Sequence, residues 1–267
     1  MPAPPCVLTV AGSDSGGGAG IQADLKTFTA LGGFGLSAIT ALTAQNTLGV
    51  SGIFPVDPEF VAAQFLAVAE DFPIRAGKTG MLFSAPIIDA LSPLLARSGF
   101  PLVVDPVCVS QSGHRLLEDE ALESMRDRIV PLATLVTPNR PEAEALTGEA
   151  VADEAGVFRA MARILDMGPQ AVLLKGGHFD GPFMTDWFQM RGDRPTAIQH
   201  DRVDTVNTHG TGCTLSAAIA AFLARGMTLE EAVRAGITYL HEALLQGFDL
   251  GRGQGPVNHL VGLKSAF

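Results

Sequence analysis

The octet Asn207-Thr208-His209-Gly210-Thr211-Gly212-Cys213-Thr214 carries the residue types best suited to chemistry, and it runs straight into an Ala/Leu-rich stretch, residues 215–224. Gly210 and Gly212 let the backbone turn tightly, and the following stretch is helical on propensity alone. Free N–H groups and the positive end of a helix dipole then converge on one point. That point is an anion hole, able to hold a transferring phosphoryl group or another oxyanion. Gly210, Thr211, Gly212 and Cys213 are therefore candidate catalytic residues. A helix N-terminus lowers a thiol's pKa, so Cys213 is expected to be partly thiolate, accepting a proton or attacking a substrate. The competing reading is a small buried residue opening a core helix.

Other candidates lie along the chain. Residues 12–20, Gly-Ser-Asp-Ser-Gly-Gly-Gly-Ala-Gly, form a flexible loop after a short apolar run, and a helix follows with Ile21, Leu25, Phe28 and Leu31 at helical spacing. Asp24 falls at the edge of its inward face, where it either supports the first turn or accepts a hydrogen bond from a ligand. Gly18-Ala19-Gly20-Ile21-Gln22-Ala23 fits a dinucleotide fingerprint. No Asp or Glu stands between Lys26 and Val56 to hold a ribose, and the Walker Gly-Lys-Ser/Thr ending is missing. Gln45 offers a donor and an acceptor side by side, the complement of an aminopyrimidine or amide edge, or else caps its own turn. Met81 reads first as core. Asp105 ends an apolar β-type run, and Glu142 follows Asn139 at the spacing of a capping box. Asp105 and Glu142 would share one sheet edge and could hold Mg²⁺ through water. Lys175 ends another apolar run, where a lysine favours contact with a phosphate.

The elements that must position these residues alternate. Strands are expected at 6–11, 34–44, 75–81, 101–107, 133–137 and 171–175, and a hairpin at 183–190 and 196–202. Helices are expected from 21, over 58–72, 85–97, 153–167 and 229–245, after Asn139 and after the octet. This pattern predicts a single α/β domain over residues 1–267, with a mostly parallel doubly wound sheet and helices on both faces. Its ligand edge collects Gly12, Gln45, Asp105, Lys175 and the octet. A net charge of −10 argues against nucleic acid or an anionic membrane as partner. No apolar run approaches the roughly 18 residues of a membrane span. Cys6, Cys108 and Cys213 show neither metal-ligand nor disulfide spacing, and the N-terminus lacks a signal peptide's basic and apolar segments. The expected location is the cytoplasm.

With those residues collected, the chain resembles the hydroxymethylpyrimidine/phosphomethylpyrimidine kinases of thiamine biosynthesis, within the ribokinase-like superfamily. The resemblance rests on residues 11–14 with 16–24, 39–46, Lys78-Thr79-Gly80-Met81, 137–142, Leu174-Lys175-Gly176-Gly177-His178 and 209–214. It implies a ribokinase-like fold without a large separate lid and two ATP-dependent phosphorylations, of an alcohol and then of its monophosphate. It also implies that Gly12, Asp24, Gln45 and Met81 line the pyrimidine pocket with Val107 nearby. Asn139, Lys175 and Thr211 would serve ATP, Asp105 and Glu142 Mg²⁺, and Gly210, Gly212 and Cys213 the transfer. A homodimer is implied too. Three rivals remain: a pyridoxal kinase of the same superfamily, a thiol hydrolase or acyltransferase pairing Cys213 with His209, and a non-catalytic sensor of a nucleotide or vitamin phosphate.

Overall fold

Apolar runs that close on a glycine or a polar residue become the parallel strands. In the computed structural model, which describes residues 3–107, 119–176 and 183–263, these are β1 (Cys6–Asp14), β2 (Phe34–Asn46), β4 (Ile74–Thr79), β5 (Leu102–Val104), β6 (Leu135–Val136) and β7 (Ala171–Leu174). Three further strands, β3 (Gly49–Pro55), β8 (Phe183–Met190) and β9 (Thr196–Asp201), complete one nine-stranded sheet in the order β3-β2-β1-β4-β5-β6-β7-β8-β9. β3 pairs antiparallel with β2, β8 with β7 and β9 with β8; the remaining pairings are parallel.

Alternate residues of the strands feed two cores, as a pleated sheet covered on both faces requires. Val7, Val103, Leu135 and Leu173 pack with α1 (Gly20–Ala30), α7 (Thr211–Ala224) and α8 (Leu229–Leu245). Their neighbours Leu8, Val104, Val136 and Leu174 face the other way. There they meet α2 (Pro58–Ala69), α3 (Ala85–Ala96), α4 (Asp119–Ser124), α5 (Arg140–Thr147) and α6 (Glu154–Asp166). The expected doubly wound α/β class is the fold observed. No helix among the described residues is long and apolar enough to cross a membrane.

The differences are local. β3 was not expected, because Gly49-Val50-Ser51-Gly52-Ile53-Phe54-Pro55 carries two glycines and a terminal proline. It forms as an edge strand, where such residues are tolerated. After α4 the chain tightens into a π-helical turn, Met125–Ile129, and a 3₁₀ turn, Val130–Leu132. α2 ends at Ala69, short of the expected residue 72. Cys108, Gly177 and His178, cited in the sequence reading, lie outside the described residues.

Candidate active site

The carboxyl ends of the parallel strands open into a cavity of about 820 Å³, where an open α/β sheet collects its ligands. Gly12, Gln45, Met81 and Val107 line it, as do Asn139, Lys175, Thr211, Asp105, Glu142, Gly210, Gly212 and Cys213. Asp24 does not. Met81, first read as core, is 7% exposed and forms both core and wall.

At the centre of the cavity α7 begins. Gly210 is its N-cap at φ +84°, and a Cβ there would collide with the Gly18 carbonyl. Glycine is required on both counts. Thr214 N–H reaches back to Gly210 O at 2.8 Å. The N–H groups of Gly212 and Cys213, in the first turn, have no acceptor within the helix, and both residues line the cavity. A side chain on Gly212 would stand 3.4 Å from Lys175 Nζ and 3.5 Å from Asp105 Oδ2, so the turn sits directly over those charges.

The glycine loop is held by a residue that sequence reasoning did not single out. Asp14, 2% exposed, accepts from Gly16 N–H at 2.8 Å through Oδ1, and from Gly18 N–H at 3.1 Å and Ala19 N–H at 2.8 Å through Oδ2. His209 Nε2 lies 2.9 Å from the same Oδ2. Burial alone would raise the Asp14 pKa, but the His209 and backbone hydrogen bonds outweigh it and hold the carboxyl below its ordinary value. The Asx-turn spacing of Asp14 before its glycines was a usable signal.

Lys175 bridges two carboxylates, with Nζ 3.2 Å from Asp105 Oδ1 and 3.6 Å from Glu142 Oε2. Ser216 Oγ donates to Asp105 Oδ2 at 3.3 Å. Burial opposes the Lys175 charge, yet Asp105 and Glu142 raise its pKa, so it stays an ammonium. Asn139 and Glu142 form the expected capping box, Glu142 N–H to Asn139 Oδ1 at 2.9 Å and Asn139 N–H to Glu142 Oε2 at 2.7 Å. Among the described residues no three His, Cys, Asp or Glu side chains gather as a self-sufficient metal centre. Two carboxylates already framing a cation do fit Mg²⁺, which takes one or two carboxylates and fills its shell with water and phosphate oxygens.

Burial raises Glu142 to about 7, with Lys175 lowering it and Asp105 raising it. The folded protein therefore binds this proton more tightly than the unfolded chain. The resulting stability is full below the ordinary glutamate pKa and is lost as pH rises through about 7. Glu142→Gln keeps the cap and removes the titration. Relative to that variant, the ligand-free wild type is expected to lose on the order of 2–3 kcal/mol between pH 4.5 and 8 in urea unfolding. Parallel pH profiles of the two proteins would refute this origin.

Two expectations are corrected by what lies under the octet. Asp24 neither supports an exposed turn nor lines the cavity. It is fully buried, both oxygens 3.1 Å from Lys78 Nζ, and Thr9 Oγ1 donates to it at 2.6 Å. For the half-buried Cys213 the surroundings oppose ionisation. Burial pushes its thiol up to about 12; Lys78 and the Gly20 N–H pull the other way, but Asp24 and Asp105 add to the rise. His209 is committed to Asp14, so the thiol–imidazole couple of a cysteine hydrolase is not assembled.

On the β8–β9 side of the sheet the cavity is lined by Met184, Asp186 and His200, and α8 adds Leu240, His241 and Leu244. His200 Nε2 lies 3.3 Å from Asp186 Oδ2, which raises the histidine's pKa through that hydrogen bond, and Asp186 Oδ1 accepts from Gly176 N–H at 2.8 Å. His241 packs edge-on to His200, with its own Nε2 buried and without a hydrogen-bond partner among the described residues. No sequence pattern marked this corner, because its residues come from a hairpin and a helix whose periodicity reports packing alone.

Comparison with known proteins places this geometry. The profile of the phosphomethylpyrimidine kinase family matches residues 14–258. The chain is 50% identical over 259 residues to the hydroxymethylpyrimidine/phosphomethylpyrimidine kinase of Streptomyces coelicolor, covering 96% of this chain and 94% of that protein. The crystal structure of phosphomethylpyrimidine kinase from Clostridium difficile superposes with a TM-score of 0.79 at 43% identity, covering 90% of this chain and 99% of that one. Pyridoxal kinase from Staphylococcus aureus, in complex with AMP-PCP and pyridoxal, gives a TM-score of 0.89 at 33% identity, covering 97% and 94%.

Proposed function

Because the chain belongs to the phosphomethylpyrimidine kinase family, it is an ATP-dependent kinase of thiamine biosynthesis, and we propose how the cavity at the sheet's carboxyl edge carries out the reaction. The substrates are 4-amino-5-hydroxymethyl-2-methylpyrimidine and its monophosphate, phosphorylated in turn to the diphosphate. The observation that carries the reading is the order of groups along the carboxyl edge of the sheet. Gln45 lies at the end of β2, Gly12 at the end of β1, Met81 follows β4 and Val107 β5, while Asn139 follows β6 and Lys175 β7, and Gly212 in the first turn of α7 sits beside Asp105 and Lys175.

The pyrimidine lies against Gly12 and Met81 with its polar edge on Gln45. Thr43 Oγ1 donates to Ser13 O at 2.9 Å and lies 3.2 Å from Gln45 Oε1, and His209 Nε2–H donates to Asp14 Oδ2, so the Gln45 amide keeps hydrogen-bonding capacity for the ligand. ATP places its γ-phosphate over the N–H groups of Gly212 and Cys213, with Lys175, Asn139 and Thr211 on its phosphates and the base toward Leu240 and Leu244. Asp105 and Glu142 would hold Mg²⁺, which when bound neutralises phosphate charge. The acceptor oxygen bonds to the γ-phosphorus as the bond to the ADP oxygen breaks. In a loose transition state, positioning and charge neutralisation do most of the work. A neutral Cys213 thiol suits that demand: it orients the incoming hydroxyl, whose proton passes late to an oxygen of the transferring phosphoryl group. In the second step the acceptor is an already ionised phosphate oxygen and needs no base.

The same reading makes residues 1–267 one kinase domain in the cytoplasm. It pairs two copies through the β2–β3 edge, where the cross-strand partners Leu42 and Phe54 are 46% and 70% exposed. A pyridoxal kinase is the second reading, supported by the pyridoxal kinase structures. It is disfavoured because identity to those is 33%, against 50% for the Streptomyces relative. ATP consumption measured in parallel with the hydroxymethylpyrimidine, its monophosphate and pyridoxal separates the two. Turnover of both pyrimidines is expected, and turnover of pyridoxal alone would reverse the assignment. Gln45→Leu is expected to raise the pyrimidine KM about tenfold with kcat little changed, a loss near 1.4 kcal/mol of uniform binding. An unchanged KM would take Gln45 out of the pocket.

A further inference from the structure

Two loops far apart in sequence meet where the cavity's substrate end joins its transfer turn. The glycine loop folds around the Asp14 carboxylate, and its entry is braced from α1, where Gln22 Oε1 accepts from Asp14 N–H at 2.8 Å and Gln22 Nε2 donates to Ser13 Oγ at 2.7 Å. The octet comes down on this loop so closely that side chains on Gly18 or Gly210 would strike His209 or the Gly18 carbonyl. At that contact His209 reaches Asp14 Oδ2 at 2.9 Å, and the same ring nitrogen lies 3.4 Å from Gln45 Nε2. His209 N–H donates to Gly255 O at 3.0 Å, which fixes its backbone to the chain's tail.

We propose that Asp14 and His209 form a positioning latch, binding the glycine loop to the turn that opens α7 so that acceptor and anion hole keep one register. Neither residue is asked to touch the reacting atoms. The proposal rests on the kinase reading for its rate effects. Asp14 is ionised and can only accept, so His209 Nε2 carries the proton of the bond. Such a charge-assisted hydrogen bond is strong and directional, and a shift of an ångström between acceptor and phosphoryl site is costly to a reaction that depends on alignment. Removing the donor frees each loop to move independently while the fold, which draws its stability from the two cores, persists.

His209→Leu tests this beside His209→Gln, whose amide nitrogen can reach Asp14 in place of Nε2. The Leu variant is expected to lose about 10- to 30-fold in kcat, with the KM for ATP unchanged and the melting temperature near wild type. The Gln variant should recover most of the rate. Combining His209→Leu with Asp14→Asn should cost no more than the worse single change, because both remove one interaction. Amide hydrogen exchange supplies a readout independent of turnover. Segments 14–20 and 208–213 should exchange faster together in the Leu variant and return toward wild type in the Gln variant. Wild-type rates and unchanged exchange in His209→Leu would overturn the latch, and so would a Gln variant as impaired as Leu. Wild-type protein that fails to phosphorylate either pyrimidine would instead defeat the kinase reading, leaving the exchange data to decide the latch.

Discussion

Lys78→Met removes about 3–5 kcal/mol from the unfolding free energy, read as a lower urea midpoint at unchanged slope. The size follows from what is left behind. Asp24 is fully buried with both oxygens 3.1 Å from Lys78 Nζ, and Thr9 Oγ1 is its one other side-chain partner among the described residues. Methionine fills the volume but donates nothing, so the carboxylate must stay charged in an apolar site or take up a proton. Burial already raises the Asp24 pKa with the lysine present, so without it the group protonates more readily. A folded-state pKa above the unfolded one contributes stability at low pH that is lost as pH rises. The deficit of Lys78→Met is therefore larger at pH 8 than at pH 5. Lys78→Met with Asp24→Leu should regain most of the loss, since replacing both members with apolar groups leaves no uncompensated charge. A deficit under about 1 kcal/mol in the single variant would mean that water reaches the pair.

That pair marks the boundary of what local sequence could convey. The strands were legible because Val103-Val104 before Asp105, or Leu173-Leu174 before Lys175, have one reading in a parallel sheet. Their polar ends then mark the ligand edge. The capping box of Asn139 and Glu142 was legible because it is a contact across three residues. β3 was not, since its glycines and proline hide a period-2 pattern that an edge strand needs only weakly. Asp24 invited a ligand or a solvated turn because its partner, Lys78, stands 54 residues away on β4. The latch spans 195 residues and left only the turn spacing of Asp14 as a local trace. The Cys213 misjudgement has the same origin. The rule that a helix N-terminus lowers a thiol's pKa holds for an exposed first turn. Here it is outweighed by burial and by Asp24 and Asp105, contributed by other elements.

Cys213→Ala lowers kcat for the hydroxymethylpyrimidine by about 100-fold or more, in the range of a group that fixes the acceptor in its attacking position. The KM for ATP stays within about twofold, because the backbone N–H groups of α7 remain in place to hold phosphate. A thiol held near 12 is neutral from pH 6 to 9, so wild-type kcat should show no ionisation belonging to Cys213 in that interval. Cys213→Ser, which keeps a hydrogen-bonding group of similar size, should retain much more activity than Ala. The two phosphorylations then separate. The first acceptor is a weakly nucleophilic hydroxyl whose lone pair must be aimed while it still carries its proton; the second is an ionised phosphate oxygen, which tolerates looser aiming. The Ala variant should therefore lose at least tenfold more in the first step than in the second, measured by following each product separately. Equal losses in both steps would assign Cys213 to shaping the anion hole. A wild-type kcat limb near pH 8 that disappears in the Ser variant would instead identify a thiolate base, and burial would then be the wrong account of this thiol.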